Sequence, residues 1–445
     1  MRIPSFATRY RESERQTKNE ALLIILVAAF VLINAVAMSL ALEGSLRWSH
    51  LYAPVVWLVI IICAYVVLLR TQSSHDPYLL PLVALMSGWG LVLIDRLAPN
   101  FLNRQLIWLV IGITVLVLSA VFPRDFGWLY RYRYTWLLAG ILLLATTLWL
   151  GVNPSGQGAT LWLKIPFLGS VFFQPSELLK LLLVIFLASY FDDRSRMLSV
   201  RIGNGLRPTF AYLAPLLLMW GFCLVLLVWQ QDLGAATLFF TVFLVLLYLA
   251  TGKWQYITLG FVLLLLAGLI GYFAFDLVAL RIDTWLNPWI EADSRGFQIV
   301  QSLYAVASGG IFGQGVSQGY PTYIPVVHSD FAFAAIAEEW GLIGSLTILC
   351  CFAVLAFRGI HIASKSNRLF NLFLAIGITV VFCTQAFLIM AGVTKLLPLT
   401  GVTLPFVSYG GSSFVMSSLM IGLLLNLSTR PNRGRPMTIG LEILE

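Results

Sequence analysis

The chain has 445 residues, 59% of them hydrophobic and only 11% charged, with a formal net charge of +8 and a mean hydropathy of +0.89. A soluble protein cannot expose that composition, a single core cannot hide it, and the apolar runs are continuous rather than alternating, which excludes a transmembrane barrel. Only helices then satisfy the backbone in lipid, so the expected fold class is an all-α polytopic membrane protein.

In chain order, residues 1–20 (MRIPSFATRYRESERQTKNE) are mixed in charge and precede any apolar run. No small-residue cleavage site follows a short apolar core, so this reads as a retained N-terminal segment and not a signal peptide. Twelve runs then follow, near 21–42, 52–69, 78–95, 105–122, 135–152, 173–191, 211–229, 234–251, 257–279, 331–357, 369–391 and 405–427. Each approaches the roughly 20 residues that cross a bilayer core of about 30 Å. With the N-terminus in the cytoplasm, twenty Lys and Arg fall in inner segments and seven in outer ones, with Lys180 inside a span. The positive-inside rule therefore places both termini in the cytoplasm. Topology also accounts for the positive charge, with no call on nucleic acid. The expected organisation is an inner segment 1–20, a first pair of spans within 21–70, a membrane core 78–428 and an inner tail 429–445. Two outer segments are long, near 153–172 and 280–330.

Cys63, Cys223, Cys350, Cys351 and Cys383 all lie in apolar runs, without a CxxC pair or a His/Cys cluster. Neither a disulfide framework nor a zinc site is expected. His50, His75 and His361 read as ordinary surface residues, and His328 as a hydrogen-bonded loop residue.

An ionisable side chain inside a span costs roughly 2.5–3.5 kcal/mol at mid-helix, so such residues are paired or functional. In "FQPSELLK" (173–180), Glu177 and Lys180 are three apart on one helical face, where they can pair. Pro175 suits the first turn there, and Ser176 can help cap it. In "QQDLGAA" (230–236), Asp232 is placed to cap a helix starting at Leu233. In "HSDFAFAAIAEEWG" (328–341), Asp330 is expected to cap a long helix, with Glu338 and Glu339 about two turns in, roughly 12 Å deep. In "PLTGVTLPFVSYGGSS" (398–413), Pro398, Pro405, Gly410 and Gly411 break a helix at membrane depth. Broken backbone survives there only against protein or a watery cavity. The outer stretch "NPWIEADSRGFQ" (287–298) sets Glu291, Asp293 and Arg295 beside Trp285 and Trp289. The following "FQIVQSLYAVA" has helical spacing and suits the membrane surface. All these sets fall near the outer face. They describe an outward-facing polar cavity with several carboxylates, entered from the membrane. The residues alone leave a membrane enzyme and a transporter both open.

The blocks "FQPSELLK", "QQDLGAA", "GFQIVQSLYAVASGGIFGQG", "VVHSDFAFAAIAEEWG" and "LPLTGVTLPFVSYGGSS" occur in one order. From about residue 85 to 428 the chain resembles the SEDS family (shape, elongation, division and sporulation), the FtsW/RodA/SpoVE proteins. "GATLW" at 158–162 is similar to a further, weaker block. The resemblance implies a core of ten membrane helices, to which this chain adds two, making about twelve. It implies a peptidoglycan glycosyltransferase that joins lipid II on the outer face of the bacterial plasma membrane, beside a class B penicillin-binding transpeptidase. In that chemistry the 4-hydroxyl of an acceptor GlcNAc attacks the donor's anomeric carbon and displaces the lipid pyrophosphate. A carboxylate takes the proton, and cations or a divalent metal, Mg²⁺ or Mn²⁺ given oxygen ligands, face the leaving group.

The family's catalytic Asp lies in a pattern like N-P-W-x-D-P-x-G-x-G-Y-Q. Here the stretch reads N-P-W-I-E-A-D-S-R-G-F-Q, so Glu291 holds the Asp position and Asp293 lies two residues on. Glu291 is placed ahead of Asp293 as the base, and the departure leaves a non-catalytic member open. By the same resemblance Glu177, Lys180, Asp232, Asp330, Glu338 and Glu339 line substrate or hold structure. Arg281 and Lys395 face pyrophosphate, while Ser408 and Tyr409 shape the cavity. The rivals are a lipid II flippase, which needs a polar path to both faces, and a scaffold that only activates its transpeptidase.

Overall fold

A computed structural model describes residues 6–72, 74–122, 125–153, 160–164, 172–199 and 228–429, with isolated positions between 217 and 225. Among the described residues ten helices are long and apolar enough to cross a membrane. They are α1 (Phe6–Glu43), α2 (Trp48–Thr71), α3 (Leu79–Leu97), α4 (Leu102–Val121), α6 (Arg133–Leu150), α8 (Leu233–Thr251), α9 (Gln255–Ala274), α13 (Gly341–Ser364), α14 (Leu369–Val393) and α15 (Gly411–Ser428). The shorter or more charged helices are α5 (Gly127–Arg131), α7 (Pro175–Ser199), α10 (Asp276–Leu286), α11 (Phe297–Gly309) and α12 (Ala332–Glu339).

Ten of the twelve expected runs are met in this way among the described residues, and the other two stand apart for identifiable reasons. The run near 173–191 is helical, as α7, but it carries Glu177, Lys180, Asp192 and Asp193. The run at 211–229 lies largely outside the described residues, as do Cys223, most of the segment 153–172 and the tail beyond 429. Three runs are also trimmed. The 257–279 run divides at Phe275, whose extended backbone (φ −135, ψ 118) separates α9 from α10. The 331–357 run divides at Trp340, between α12 and α13. The last helix starts at Gly411, after an irregular segment, and not at 405. Around the 153–172 stretch the all-α expectation meets three short antiparallel strands, β1 (Gly151–Val152), β2 (Trp162–Lys164) and β3 (Phe172–Phe173). Gly151 pairs with Leu163, and Leu163 with Phe173.

Small residues set the packing, as they do where lipid supplies no hydrophobic drive between helices. α15 runs against α4, α13 against α14, and α14 against α7 and α8. A Cβ at Gly422 would meet Ser119 Oγ and the Leu116 carbonyl of α4, so those two helices touch through backbone. α3 and α14 are mostly buried, whereas α9 shows Phe261, Leu265, Leu269, Ile270 and Phe273 to its surroundings. α9 is therefore a lipid-facing helix at the edge of the bundle.

The first two helices are seated in this core and not appended to it. α1 packs on α3, and α2 on α3 and α4. A Cβ at Gly88 of α3 would come within 2.6 Å of Val31 and 2.9 Å of Trp57, and the Trp57 indole donates to Ser87 Oγ at 3.1 Å. Two histidines expected at the surface are instead structural. His75 is buried and bonded to Glu20 of α1, and half-buried His50 lies 2.9 Å from Asp95 of α3. The reason is partnership: each faces a carboxylate from an element distant in sequence.

Candidate functional site

Five charged side chains converge where α7, α8 and α10 meet the irregular segment between α14 and α15. Pro175 opens α7, as expected, so Glu177 and Lys180 fall in its first two turns. Both are buried, with Lys180 Nζ 2.6 Å from Glu177 Oε2. Lys180 also donates to Gln385 Oε1 at 3.0 Å, and Gln385 Nε2 donates to the Thr403 carbonyl at 2.8 Å. Asp232 caps α8 as expected, its Oδ1 accepting the Ala235 N–H at 3.1 Å. The same carboxylate lies beside the Ser176 hydroxyl and feels the charges of Glu177 and Lys180. Arg281 reaches in from α10, donates to the Thr400 carbonyl at 3.3 Å and faces both Asp232 and Asp330 electrostatically. Burial pushes the Asp330 carboxyl above its ordinary value, against the opposing pull of the Ser329 hydroxyl and Arg281. Glu177, Lys180, Asp232, Arg281 and Asp330 thus form one electrostatic group. Gln385, a polar residue inside an otherwise apolar run, was the signal for the sixth member that the sequence reading passed over.

The segment between α14 and α15 is broken, as its Pro and Gly residues foretell. Lys395, Gly401 and Phe406 take left-handed backbone (φ 59, 73 and 66). Ser408 Oγ accepts the Leu404 N–H at 3.1 Å, so this buried hydroxyl ties its own turn. The Tyr409 N–H donates to the His328 carbonyl at 2.8 Å. Both rings pack on Phe101, at 4.8 Å for Tyr409 and 5.1 Å for His328, and Arg104 lies 5.9 Å from the same ring and places its charge near Tyr409. Burial lowers the pKa of His328, which favours its neutral imidazole. Arg104 was not anticipated, because a lone arginine in an outer turn carries no sequence signal.

The acidic stretch 287–296 is a compact series of turns between α10 and α11. The Glu291 carbonyl accepts the N–H groups of Ser294 (3.1 Å) and Gly296 (2.9 Å). A Cβ at Gly296 would meet the Pro288 carbonyl, so the loop closes only with glycine there. Trp285 Nε1 donates to the Lys395 carbonyl at 3.2 Å, and the Trp289 ring lies 5.8 Å from Tyr304 of α11. The loop backbone is therefore anchored at both ends, while its acidic side chains are not enclosed. Glu291 and Asp293 are both exposed. Arg295 Nε lies 3.6 Å from Glu291 Oε2.

Glu338 and Glu339 do sit about two turns into a helix, as expected, but Asp330 does not cap it and the helix is short. α12 begins at Ala332, its cap is Phe331 without a side-chain bond, and the two glutamates end it. They form a separate cluster. Glu338 Oε1 accepts the Tyr320 N–H at 2.8 Å, and Glu339 Oε2 accepts the Ser317 N–H at 3.0 Å. Arg96 lies 3.4 Å from Glu339 Oε1 and donates to the Gly319 carbonyl at 3.1 Å. Burial raises the Glu339 pKa to about 7 even so, because the Ser317 N–H and Arg96 offset only part of the desolvation. Among the described residues no group of three or more His, Cys, Asp or Glu is placed to hold a metal ion.

A helical membrane protein with buried ion pairs, a broken segment and an anchored acidic loop gathered at one end belongs to the membrane enzymes and carriers. More narrowly, the chain belongs to the FtsW/RodA/SpoVE family: the family model, described as cell cycle protein, matches residues 78–433. The peptidoglycan glycosyltransferase RodA of Mycobacterium tuberculosis is 35% identical over 453 residues, across 96% of each chain. That alignment takes in α1 and α2, which the family model omits. Among solved structures, a chain of a peptidoglycan synthase complex described for its coordination of polymerization and crosslinking has a TM-score of 0.66 and 28% identity. It covers 80% of this chain and 98% of its own length. The rod shape determining protein RodA of Thermus thermophilus gives a TM-score of 0.56 at 26% identity, covering 80% and 97%. The resemblance drawn from the five sequence blocks is borne out.

Proposed function

We propose that this protein is a peptidoglycan glycosyltransferase that polymerises lipid II, and that its acidic loop supplies the base. The end of the bundle carrying that loop faces outward, and both termini lie in the cytoplasm. The observation that carries the reading is the placement of Arg281 and Glu291 on one short stretch. Arg281 points into the buried ionic group, and ten residues on, Glu291 is exposed on a loop whose backbone is fixed, with Arg295 3.6 Å from its carboxylate.

The reaction needs those two features. The acceptor hydroxyl oxygen forms a bond to the donor's anomeric carbon. The bond from that carbon to the pyrophosphate oxygen breaks, and its electron pair leaves with the lipid pyrophosphate. The acceptor proton passes to the Glu291 carboxylate, with Asp293 as the alternative. An exposed carboxylate is ready for this only once a bound sugar covers it, so the lipid tether supplies the orientation. Arg281 and Lys395 provide positive charge for the pyrophosphate. Among the described residues no group of three His, Cys, Asp or Glu is placed for a metal, so Glu291 or Asp293 would hold a divalent ion, Mg²⁺ or Mn²⁺, with the substrate's phosphates, and it would supply positive charge to the leaving group. A class B penicillin-binding transpeptidase is the partner that crosslinks the product.

Exposure of both loop carboxylates is also what a scaffold without catalysis would show, so the test must separate the two. The protein, purified with its transpeptidase, is given lipid II and the glycan is resolved on a gel. Chains from the parent, and their loss in Glu291→Ala, support the assignment. Normal chains from both Glu291→Ala and Asp293→Ala remove the loop as the base. No glycan from the parent, with transfer of lipid II across vesicles instead, makes it a flippase.

A further inference from the structure

The helices α1 and α2 precede the matched family region, and neither carries a residue of the proposed glycosyl transfer. One polar contact ties α1 to the junction of α12 and α13, beside the Glu338 and Glu339 cluster. The Trp340 indole Nε1 donates to Asn34 Oδ1 of α1 at 2.9 Å. The Asn34 amide Nδ2 donates in turn to the Phe30 carbonyl at 2.8 Å, which fixes which way the amide faces. Asn34 is buried in an apolar helix, where a polar side chain is tolerated when its groups are bonded. Aromatic packing reinforces the contact: Trp89 of α3 meets Phe30 at 5.1 Å and Trp340 at 5.4 Å, both edge to face.

Trp340 is the residue at which α12 gives way to α13. Before it stand Glu338 and Glu339, whose side chains hold the Tyr320 and Ser317 amides. Their carbonyls accept the Gln314 N–H (2.9 Å) and the Gly315 N–H (3.1 Å). After it stands Gly341, at φ +67 and packed on Gly313 and Ile311, followed by Leu342 and Ile343, which donate to the Gly310 and Ile311 carbonyls at 2.9 and 3.2 Å. The junction is therefore stapled on both sides to residues 310–320. That loop continues directly from α11, whose other end leaves the Glu291 loop.

We propose that Asn34 is a positioning residue: by fixing Trp340, α1 sets the α12–α13 junction and with it the loop 310–320, which α11 joins to the catalytic stretch. The catalytic half of this inference rests on the glycosyltransferase reading, and the positional half does not.

Three variants test it: Asn34→Leu, which cannot accept the indole N–H, Trp340→Phe, which keeps a ring against Trp89, and the double variant. Each is purified with the transpeptidase in the same detergent. Amide hydrogen exchange is followed at 314–320 and, as a control, in α4 and α15. Steady-state lipid II polymerisation is measured alongside. Losing one net hydrogen bond predicts about threefold to tenfold faster exchange at 314–320, with α4 and α15 unchanged. The same variants should lower kcat severalfold and leave KM within about twofold, and the double variant should do no more than either single one. Unchanged exchange at 314–320 overturns the proposal. So does faster exchange spread evenly through α4 and α15, additive effects in the double variant, or faster local exchange with parental kcat. If the parent makes no glycan, the enzymatic reading fails, while the exchange result still decides whether α1 positions the loop.

Discussion

His75 Nε2 lies 3.0 Å from Glu20 Oε1, and His75 Nδ1 lies 2.6 Å from the Gln72 carbonyl. Both ring nitrogens therefore face acceptors, an arrangement that only the doubly protonated imidazolium satisfies. The pair locks the beginning of the apolar part of α1 to the segment that leads into α3, at the end of the bundle opposite the acidic loop.

The contact makes the stability of the protein depend on pH. Burial alone would lower the His75 pKa, but the Glu20 carboxylate, the Gln72 carbonyl and nearby Asp76 together raise it above its ordinary value. A histidine with a raised folded pKa binds more protons folded than unfolded. Its contribution is complete below about pH 6.5, the unfolded value, and is lost as pH rises through the folded one. Glu20→Gln should therefore lower Tm most near pH 6, and the gap to the parent should narrow towards pH 9. An equal gap at both pH values would mean that His75 is neutral.

Glu291 and Asp293 contact too little to matter for folding. Substituting either with Ala should leave Tm within about 1 °C, because exposed positions away from special backbone change stability by only a few tenths of a kcal/mol. Activity should respond differently. Glu291→Gln should reduce kcat for lipid II polymerisation by about 10²–10⁴, the usual worth of a positioned base, and Glu291→Asp should recover part of it. Asp293→Ala should stay within about twofold. A large loss at Asp293 with none at Glu291 would exchange their roles.

Much of this architecture is legible in sequence because its causes are local. Runs near 20 apolar residues give the spans, Asp232 precedes its helix as a cap must, and the three-residue spacing of Glu177 and Lys180 gives their ion pair. What escaped has distant causes. Residues 331–357 read as one helix, yet Gly341 adopts φ +67 because Gly313 and Ile311 press against it. His75 looked superficial until Glu20, 55 positions away, closed on it. The exposure of Glu291 was equally unreadable, because a motif fixes residue order and says nothing about what will cover the side chain.

Gly422 should be intolerant of even one methyl group. Its Cβ would meet Ser119 Oγ and the Leu116 carbonyl, and a carbonyl cannot rotate aside as a side chain does. Gly422→Ala should force α4 and α15 apart at a cost of about 1–3 kcal/mol, read as lower Tm and lower yield from membranes. Ser119→Gly in the same chain should restore little, since the backbone contact remains. Full restoration would show that the hydroxyl alone sets the spacing.

The Lys180–Glu177 pair can be tested for more than scaffolding. Lys180→Met leaves the buried Glu177 carboxylate beside Asp232 without its cation, and Gln385 without its donor. Breaking one side of a buried pair costs about 3–5 kcal/mol, whereas replacing both sides by neutral groups of similar volume is often nearly neutral. Lys180→Met should thus lower Tm sharply, and Lys180→Met with Glu177→Gln should recover most of it. Activity then separates the two roles. If the pair only holds α7 against α14, lipid II polymerisation returns with Tm in the double variant. If Lys180 contributes charge that reaches the pyrophosphate, or Glu177 tunes Asp232 beside Arg281, the double variant folds like the parent and remains slow. The ionic continuity from Lys180 through Asp232 to Arg281 favours the second outcome, because neutralising the pair changes the field at Arg281 without touching the loop that carries Glu291.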